Sequence, residues 1–130
     1  MRKKRILVVD DERDIVEILC ELLEGEGYST VAAYDGEQAL ERIGQEPIHL
    51  IVLDIKMPVI DGFGVIETLR AIPSLAAIPI VVLTATQMIQ DIMDRLRKFD
   101  IQICLSKPFE PKDLLNAVAK ALKSGGRHGA

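Results

Sequence analysis

Arg5-Ile6-Leu7-Val8-Val9-Asp10-Asp11-Glu12 is the stretch whose reading decides the fold. A short apolar run rich in β-branched residues, with no polar alternation, is the pattern of a strand covered on both faces of a parallel sheet. Three acids then stop it. The design recurs down the chain. Ile48-His49-Leu50-Ile51-Val52-Leu53 runs into Asp54, Ile78 to Leu83 runs into Thr84, and Ile101 to Leu105 runs into Ser106-Lys107. Ser29 to Tyr34 reads as a further, weaker strand.

Between these runs the apolar spacing changes from strand to helix. Ile15, Ile18, Leu19, Leu22 and Leu23 repeat at helical intervals, and Gly25 and Gly27 close that helix. Asp35 suits an N-cap, with Gln38 three residues on, ahead of Ala39, Leu40 and Ile43. Gly62 to Ile72 reads as a helix that stops before Pro73. Ile89, Ile92, Met93 and Leu96 mark a fourth helix. Pro111 opens a fifth, with Leu114, Leu115, Val118 and Leu122 facing inward. Strands alternating with helices give five βα units, a parallel sheet and right-handed crossovers.

Composition bounds what such a chain does. Its 130 residues suit one domain, and a hydrophobic fraction of 48% supplies its core. A net charge of −4 provides no basic field for nucleic acid. Arg2-Lys3-Lys4-Arg5 precedes an apolar run too short for a signal peptide, and no stretch approaches the roughly 20 residues of a membrane span. Cys20 and Cys104 are too few for a disulfide framework, so a cytoplasmic protein with free thiols is expected. Residues 1–123 are expected to form the domain. Ser124-Gly125-Gly126-Arg127-His128-Gly129-Ala130 reads as a flexible tail.

The strand ends carry the chemistry, because ligands of open α/β sheets bind there. Asp10 and Asp11 are paired carboxylates whose repulsion a hard divalent cation would relieve. The plainer alternative is an acidic loop in which Asp11 caps the first helix. Asp54 can attack phosphorus as a nucleophile, or simply cap a turn. The loop Ile55-Lys56-Met57-Pro58 with Asp61-Gly62 sharpens the first reading, and the main-chain carbonyl of Lys56 is a candidate metal ligand. The Thr84 hydroxyl can hydrogen-bond a phosphoryl oxygen, and the Lys107 ammonium can pair with a carboxylate and then with phosphate. Each is ordinary alone; the ordered set at successive strand ends is specific. His49 reads as a strand-entry residue, Met88, Met93 and Phe99 as helix packing, and Arg95, Arg97 and Lys98 as a solvated helix face.

At these residues the chain resembles the receiver domain of two-component response regulators. The matching segments are Val8-Val9-Asp10-Asp11-Glu12, Leu53-Asp54-Ile55-Lys56-Met57-Pro58, Asp61-Gly62, Leu83-Thr84-Ala85 and Ser106-Lys107-Pro108-Phe109, within about Arg5 to Lys123. The resemblance implies a flavodoxin-like three-layer α/β sandwich, with a five-stranded parallel sheet of order 2-1-3-4-5 and five helices. It implies Asp54 as phosphoacceptor, and Asp10, Asp11, Asp54 and the Lys56 carbonyl around Mg²⁺. Thr84 and Lys107 would bind the phosphoryl group, and the Lys107-Pro108 bond would be cis.

The implied partners are a sensor histidine kinase or phosphotransfer protein as donor, and an effector protein or output domain downstream. A phosphorylation-dependent homodimer is a further expectation. The only catalysis implied is of the protein's own phosphorylation and dephosphorylation. Relatives carry an aromatic or His three residues before the lysine, where this chain has Cys104. Phe99-Asp100-Ile101-Gln102-Ile103 also lacks their small Gly-Ala pair. The competing class is an aspartate-nucleophile, Mg-dependent phosphatase of the haloacid dehalogenase type. It would need an acid two residues after Asp54, where Lys56 stands.

Overall fold

In the computed structural model, residues 3–57 and 60–128 are described. Pro58, part of the expected loop after Asp54, and Gly129-Ala130 of the expected tail lie outside them. The strands are β1 (Arg5–Val9), β2 (Ser29–Ala33), β3 (Leu50–Asp54), β4 (Ile80–Ala85) and β5 (Cys104–Lys107). The helices are α1 (Arg13–Gly25), α2 (Gly36–Gln45), α3 (Gly62–Ala71), α4 (Ile89–Lys98) and α5 (Pro111–His128), with a 3-10 turn at Thr86–Met88. All pairings are parallel, in the order β2-β1-β3-β4-β5.

Strand alternation divides the core into two layers. Leu7, Val9, Ile51, Leu53, Ile80 and Val82 face one way and meet Ala39, Ile43, Phe63, Ile66, Leu69, Ile92 and Leu96 from α2, α3 and α4. Ile6, Val8, Leu50, Val52, Val81 and Leu83 face the other way and meet Val16, Leu19, Leu23, Leu114 and Val118 from α1 and α5. This is why the strands read as unbroken apolar runs: both faces are covered. A Cβ on Gly62 would lie 2.8 Å from the Asp54 carbonyl oxygen and 2.7 Å from Ile55 Cα. The absence of a side chain there lets α3 start directly against the end of β3.

Several expected boundaries move, each for a local reason. β4 starts at Ile80 because Ile78 N–H turns back to Leu75 C=O and Pro79 has no N–H; it then runs on through Thr84 and Ala85. β5 starts at Cys104 rather than Ile101. The end of α4 folds over itself there: Asp100 N–H bonds Arg97 C=O, Ile101 N–H bonds Leu96 C=O, and Asp100 sits at φ 61°. That is a left-handed cap of a kind usually given to Gly. Asp54 belongs to β3 itself, and β2 ends at Ala33.

α5 carries helical backbone through His128, past the boundary expected at Lys123. The N-cap of α1 is Glu12, without a side-chain bond, so Asp11 does not cap that helix. Asp35 caps α2 as expected, accepting from Gln38 N–H at 2.7 Å, while the Gln38 side chain accepts from Tyr34 N–H at 2.9 Å. His49 does serve at a strand entry: its Nδ1 accepts from Arg5 N–H at 2.9 Å.

Arg70, at the end of α3, ties the lower rim together. Its Nε donates to Phe99 C=O at 3.2 Å, and its Nη1 donates to Ala76 C=O at 2.7 Å and Ile78 C=O at 3.1 Å. The left-handed Asp100 sits beside this clamp. A β-branched side chain at Asp100 should cost about 1–2 kcal/mol of stability, the penalty of holding a bulky residue in that region. Urea denaturation should therefore show Asp100→Val losing more stability than Asp100→Gly, since both give up the attraction to Arg70 but only the first strains the backbone. Equal midpoints for the two variants would mean that the cap does not set the end of α4.

Candidate functional site

The sheet order puts the carboxyl ends of β1 and β3 side by side, with β4 and β5 following. Asp10 comes directly after β1, fully buried, and Asp54 closes β3, 5% exposed. Thr84 is buried near the end of β4, opposite Ser106, and Ala85 pairs with Lys107. Lys107 Nζ reaches from β5 to Asp10 Oδ2 at 2.7 Å and lies 3.7 Å from Asp54 Oδ1. The other Asp10 oxygen accepts from Glu12 N–H at 3.0 Å. Asp10, Asp54 and Lys107 are thus brought together as expected, with Thr84 at the neighbouring strand end. The Lys107-Pro108 bond is cis.

Among the described residues one group of three carboxylates is close enough to share a metal ion, and it adds Glu12 to the expected Asp10 and Asp11. Ligand oxygens of Asp10, Asp11 and Glu12 lie within 4.8 Å of one another, while Asp54 stands outside this trio and is linked to it through Lys107. Asp11 and Glu12 are exposed, and Asp10 is buried. The sequence motif assigns no role to Glu12, which joins this group in the structure. Its signal was there, as the third consecutive acid after a buried strand. Lys56 is exposed, and its main-chain N–H favours the charged form of the Asp54 carboxylate.

Charge crowding sets the electrostatics. Burial raises the Asp54 pKa from its ordinary 3.8 to about 6, and neighbouring Asp10 and Asp11 push the same way, while Lys107 and the Lys56 N–H oppose them. Burial works against the Lys107 ammonium, but its hydrogen bond to Asp10 and the charges of Asp54 and Asp10 outweigh that and raise its pKa. At neutral pH the site therefore holds a carboxylate that is uncomfortable as an anion, beside a lysine firmly charged. The donors offered to a metal are carboxylate oxygens, with no thiol or imidazole in the group. That set fits a hard cation such as Mg²⁺.

A concavity of about 590 Å³ is bordered by Arg70, Ile78, Phe99, Gln102 and Lys120 at the opposite end of the sheet. It contains none of these groups. The strand-end cluster is the site that the buried charges define.

Residues 6–119 match the response regulator receiver domain family, and the chain belongs to it. It is 38% identical over 125 residues to the probable transcriptional regulator ycf27 of Porphyridium aerugineum, covering 95% of this chain and 50% of that protein. It is 40% identical over 117 residues to the response regulator GtcR of Aneurinibacillus migulanus, covering 90% of this chain and 46% of that one. The chain thus spans about half the length of these curated relatives. Among solved structures, the chemotaxis response regulator CheY4 of Vibrio cholerae superposes with a TM-score of 0.85 at 27% identity, over 92% of this chain and 99% of that one. A CheY-like receiver domain protein from Methanospirillum hungatei gives 0.87 at 25% identity, over 98% and 99%. The chain is therefore a receiver domain of the two-component response regulator class, with a CheY-like, flavodoxin-like fold. None of its described helices is long and apolar enough to cross a membrane.

The raised Asp54 pKa has a stability consequence whose sign is fixed. Between pH 3.8 and about 6 the folded protein keeps a proton that the unfolded chain has already released. Stability therefore falls as pH rises through that window, and the deficit is complete above it. The gap corresponds to at most about 3 kcal/mol. In metal-free protein, Asp54→Asn should be more stable than the parent at pH 7.5, and the advantage should vanish below pH 4. Urea denaturation in chelator at the two pH values checks this.

Proposed function

We propose that Asp54 accepts a phosphoryl group from a phosphohistidine of a sensor kinase or phosphotransfer protein. The observation that carries this reading is a buried carboxylate with a raised pKa, 3.7 Å from a lysine and next to an acidic trio, at the strand ends of a receiver fold. In the reaction one Asp54 oxygen attacks phosphorus, the P–N bond breaks, and the imidazole leaves with its electron pair and takes up a proton. The product is an acyl phosphate on Asp54.

Asp10, Asp11, Asp54 and the Lys56 carbonyl would hold Mg²⁺, with Glu12 beside them. The cation supplies neutralisation of the carboxylates and of the transferring oxygens. Both Asp10 oxygens are already engaged, one by Glu12 N–H and one by Lys107. Lys107 leaves Asp10 as the phosphoryl group arrives and pairs with a phosphoryl oxygen; the Thr84 hydroxyl donates to another. The protein catalyses only its own phosphorylation and dephosphorylation. Phosphorylation changes its affinity for an effector protein or output domain.

Acetyl phosphate with Mg²⁺ should label the protein once, and chelator should abolish the labelling. The product should be cleaved by hydroxylamine, as acyl phosphates are. Lys107→Ala should slow labelling on the order of 10²-fold, through loss of a charge that stabilises the transferring group. Full labelling of Asp54→Asn would remove Asp54 from the role.

A further inference from the structure

α4 is the lightly held helix of the sheet. Its sequence, Ile89-Gln90-Asp91-Ile92-Met93-Asp94-Arg95-Leu96-Arg97-Lys98, has only Ile92 and Leu96 buried. Its N-terminus has no side-chain cap and follows the 3-10 turn, where Met88 is 40% exposed rather than packed as its sequence suggested. Few buried contacts mark the segments that shift most readily. α3 is its opposite. Asp61 caps it, accepting from Gly64 N–H at 3.0 Å, and five of its residues are buried. Its first turn is seated on the Asp54 main chain through Gly62, whose N–H donates to Ile55 C=O at 2.8 Å.

One contact joins these two helices in a way the sequence did not reveal. Arg95, expected on a solvated face, lays its guanidinium 3.7 Å from the ring centre of Phe63. Phe63 is the residue after Gly62 and is only 3% exposed. The neighbouring Arg97 instead pairs with Asp94 along the helix at 3.1 Å. Two routes therefore run from the site to α4. One passes from Thr84 through Ala85 and the 3-10 turn. The other passes from Asp54 through Gly62 and Phe63 to Arg95. Cys104, partly buried on β5, packs against the same core layer but has no ring that could change places between two states.

We propose that the Arg95–Phe63 stack is the regulatory contact that holds α4 in its resting position, and that it is given up when the site takes a phosphoryl group. The inference rests on Asp54 being the phosphoacceptor. The physical reason is that a ligand shifts a conformation only through contacts that differ between the two states. α3 is anchored to β3, whereas α4 is tethered to the Thr84 loop. A pull on that loop moves Arg95 relative to Phe63, and the stack opposes the movement. Removing it lowers the cost of the shifted state.

The test is calorimetric titration of the full chain with beryllofluoride in Mg²⁺, as a stand-in for the phosphoryl group on Asp54. Arg95→Ala should bind about twofold to fivefold more tightly than the parent, the range set by an exposed cation–π contact. Phe63→Leu should tighten binding similarly, and the double variant no more than either single one. Arg95→Lys should fall between Arg95→Ala and the parent. A purely structural stack would lower the urea midpoint in these variants without tightening binding. Unchanged or weakened binding in Arg95→Ala, or fully additive effects in the double variant, would overturn the proposal. Failure of the parent itself to bind beryllofluoride would instead remove the phosphoacceptor reading on which it rests.

Discussion

Lys107 holds the strand-end acids in one place. Its ammonium sits 2.7 Å from Asp10 and 3.7 Å from Asp54, at the ends of two strands that are not its own. Parallel pairing in the order β2-β1-β3-β4-β5 makes this reach available, because it aligns the carboxyl ends of β1, β3, β4 and β5 along one rim. Without a cation there, a fully buried Asp10 beside a buried Asp54 would be hard to tolerate, since unpaired buried charge is costly. The fold supplies the rim, and the rim concentrates negative charge that one lysine only partly neutralises.

That imbalance links stability to chemistry. Burial and the neighbouring acids raise the Asp54 pKa more than Lys107 and the Lys56 N–H lower it. A group strained as an anion gains from anything that brings in positive charge or disperses its own. Under the proposed function a hard cation on the acidic group would do the first. The same residues that destabilise the metal-free protein are the ones the proposed phosphoryl transfer would use. α4, with two buried residues and an uncapped start, lies next in line from the Thr84 strand end, so the element best able to move is attached to the site.

The fold was legible because the three central strands are covered on both faces. Ile6 to Val9 and Ile51 to Leu53 show no polar alternation, and Asp35 marks a helix start by a side-chain bond that its sequence position announces. The ends of β4 and β5 were less legible. Ile78 and Ile101 are as apolar as any strand residue, but Pro79 and the left-handed Asp100 take the chain out of the sheet at those points. Family membership was readable from acids, Thr and Lys at strand ends. Three-dimensional partners were not. Nothing in local pattern tells that Arg95 covers Phe63 or that Arg70 gathers three carbonyls. Those depend on where elements distant in sequence come to rest.

The central claim is that crowding holds the Asp54 carboxyl above its ordinary range and that a hard cation relieves it. Carbon-13 NMR titration of the Asp54 side-chain carboxyl measures this directly. In chelator the midpoint should lie at about 6, and saturating Mg²⁺ should move it down. A midpoint near 3.8 in metal-free protein, or one that Mg²⁺ does not move, would contradict the account.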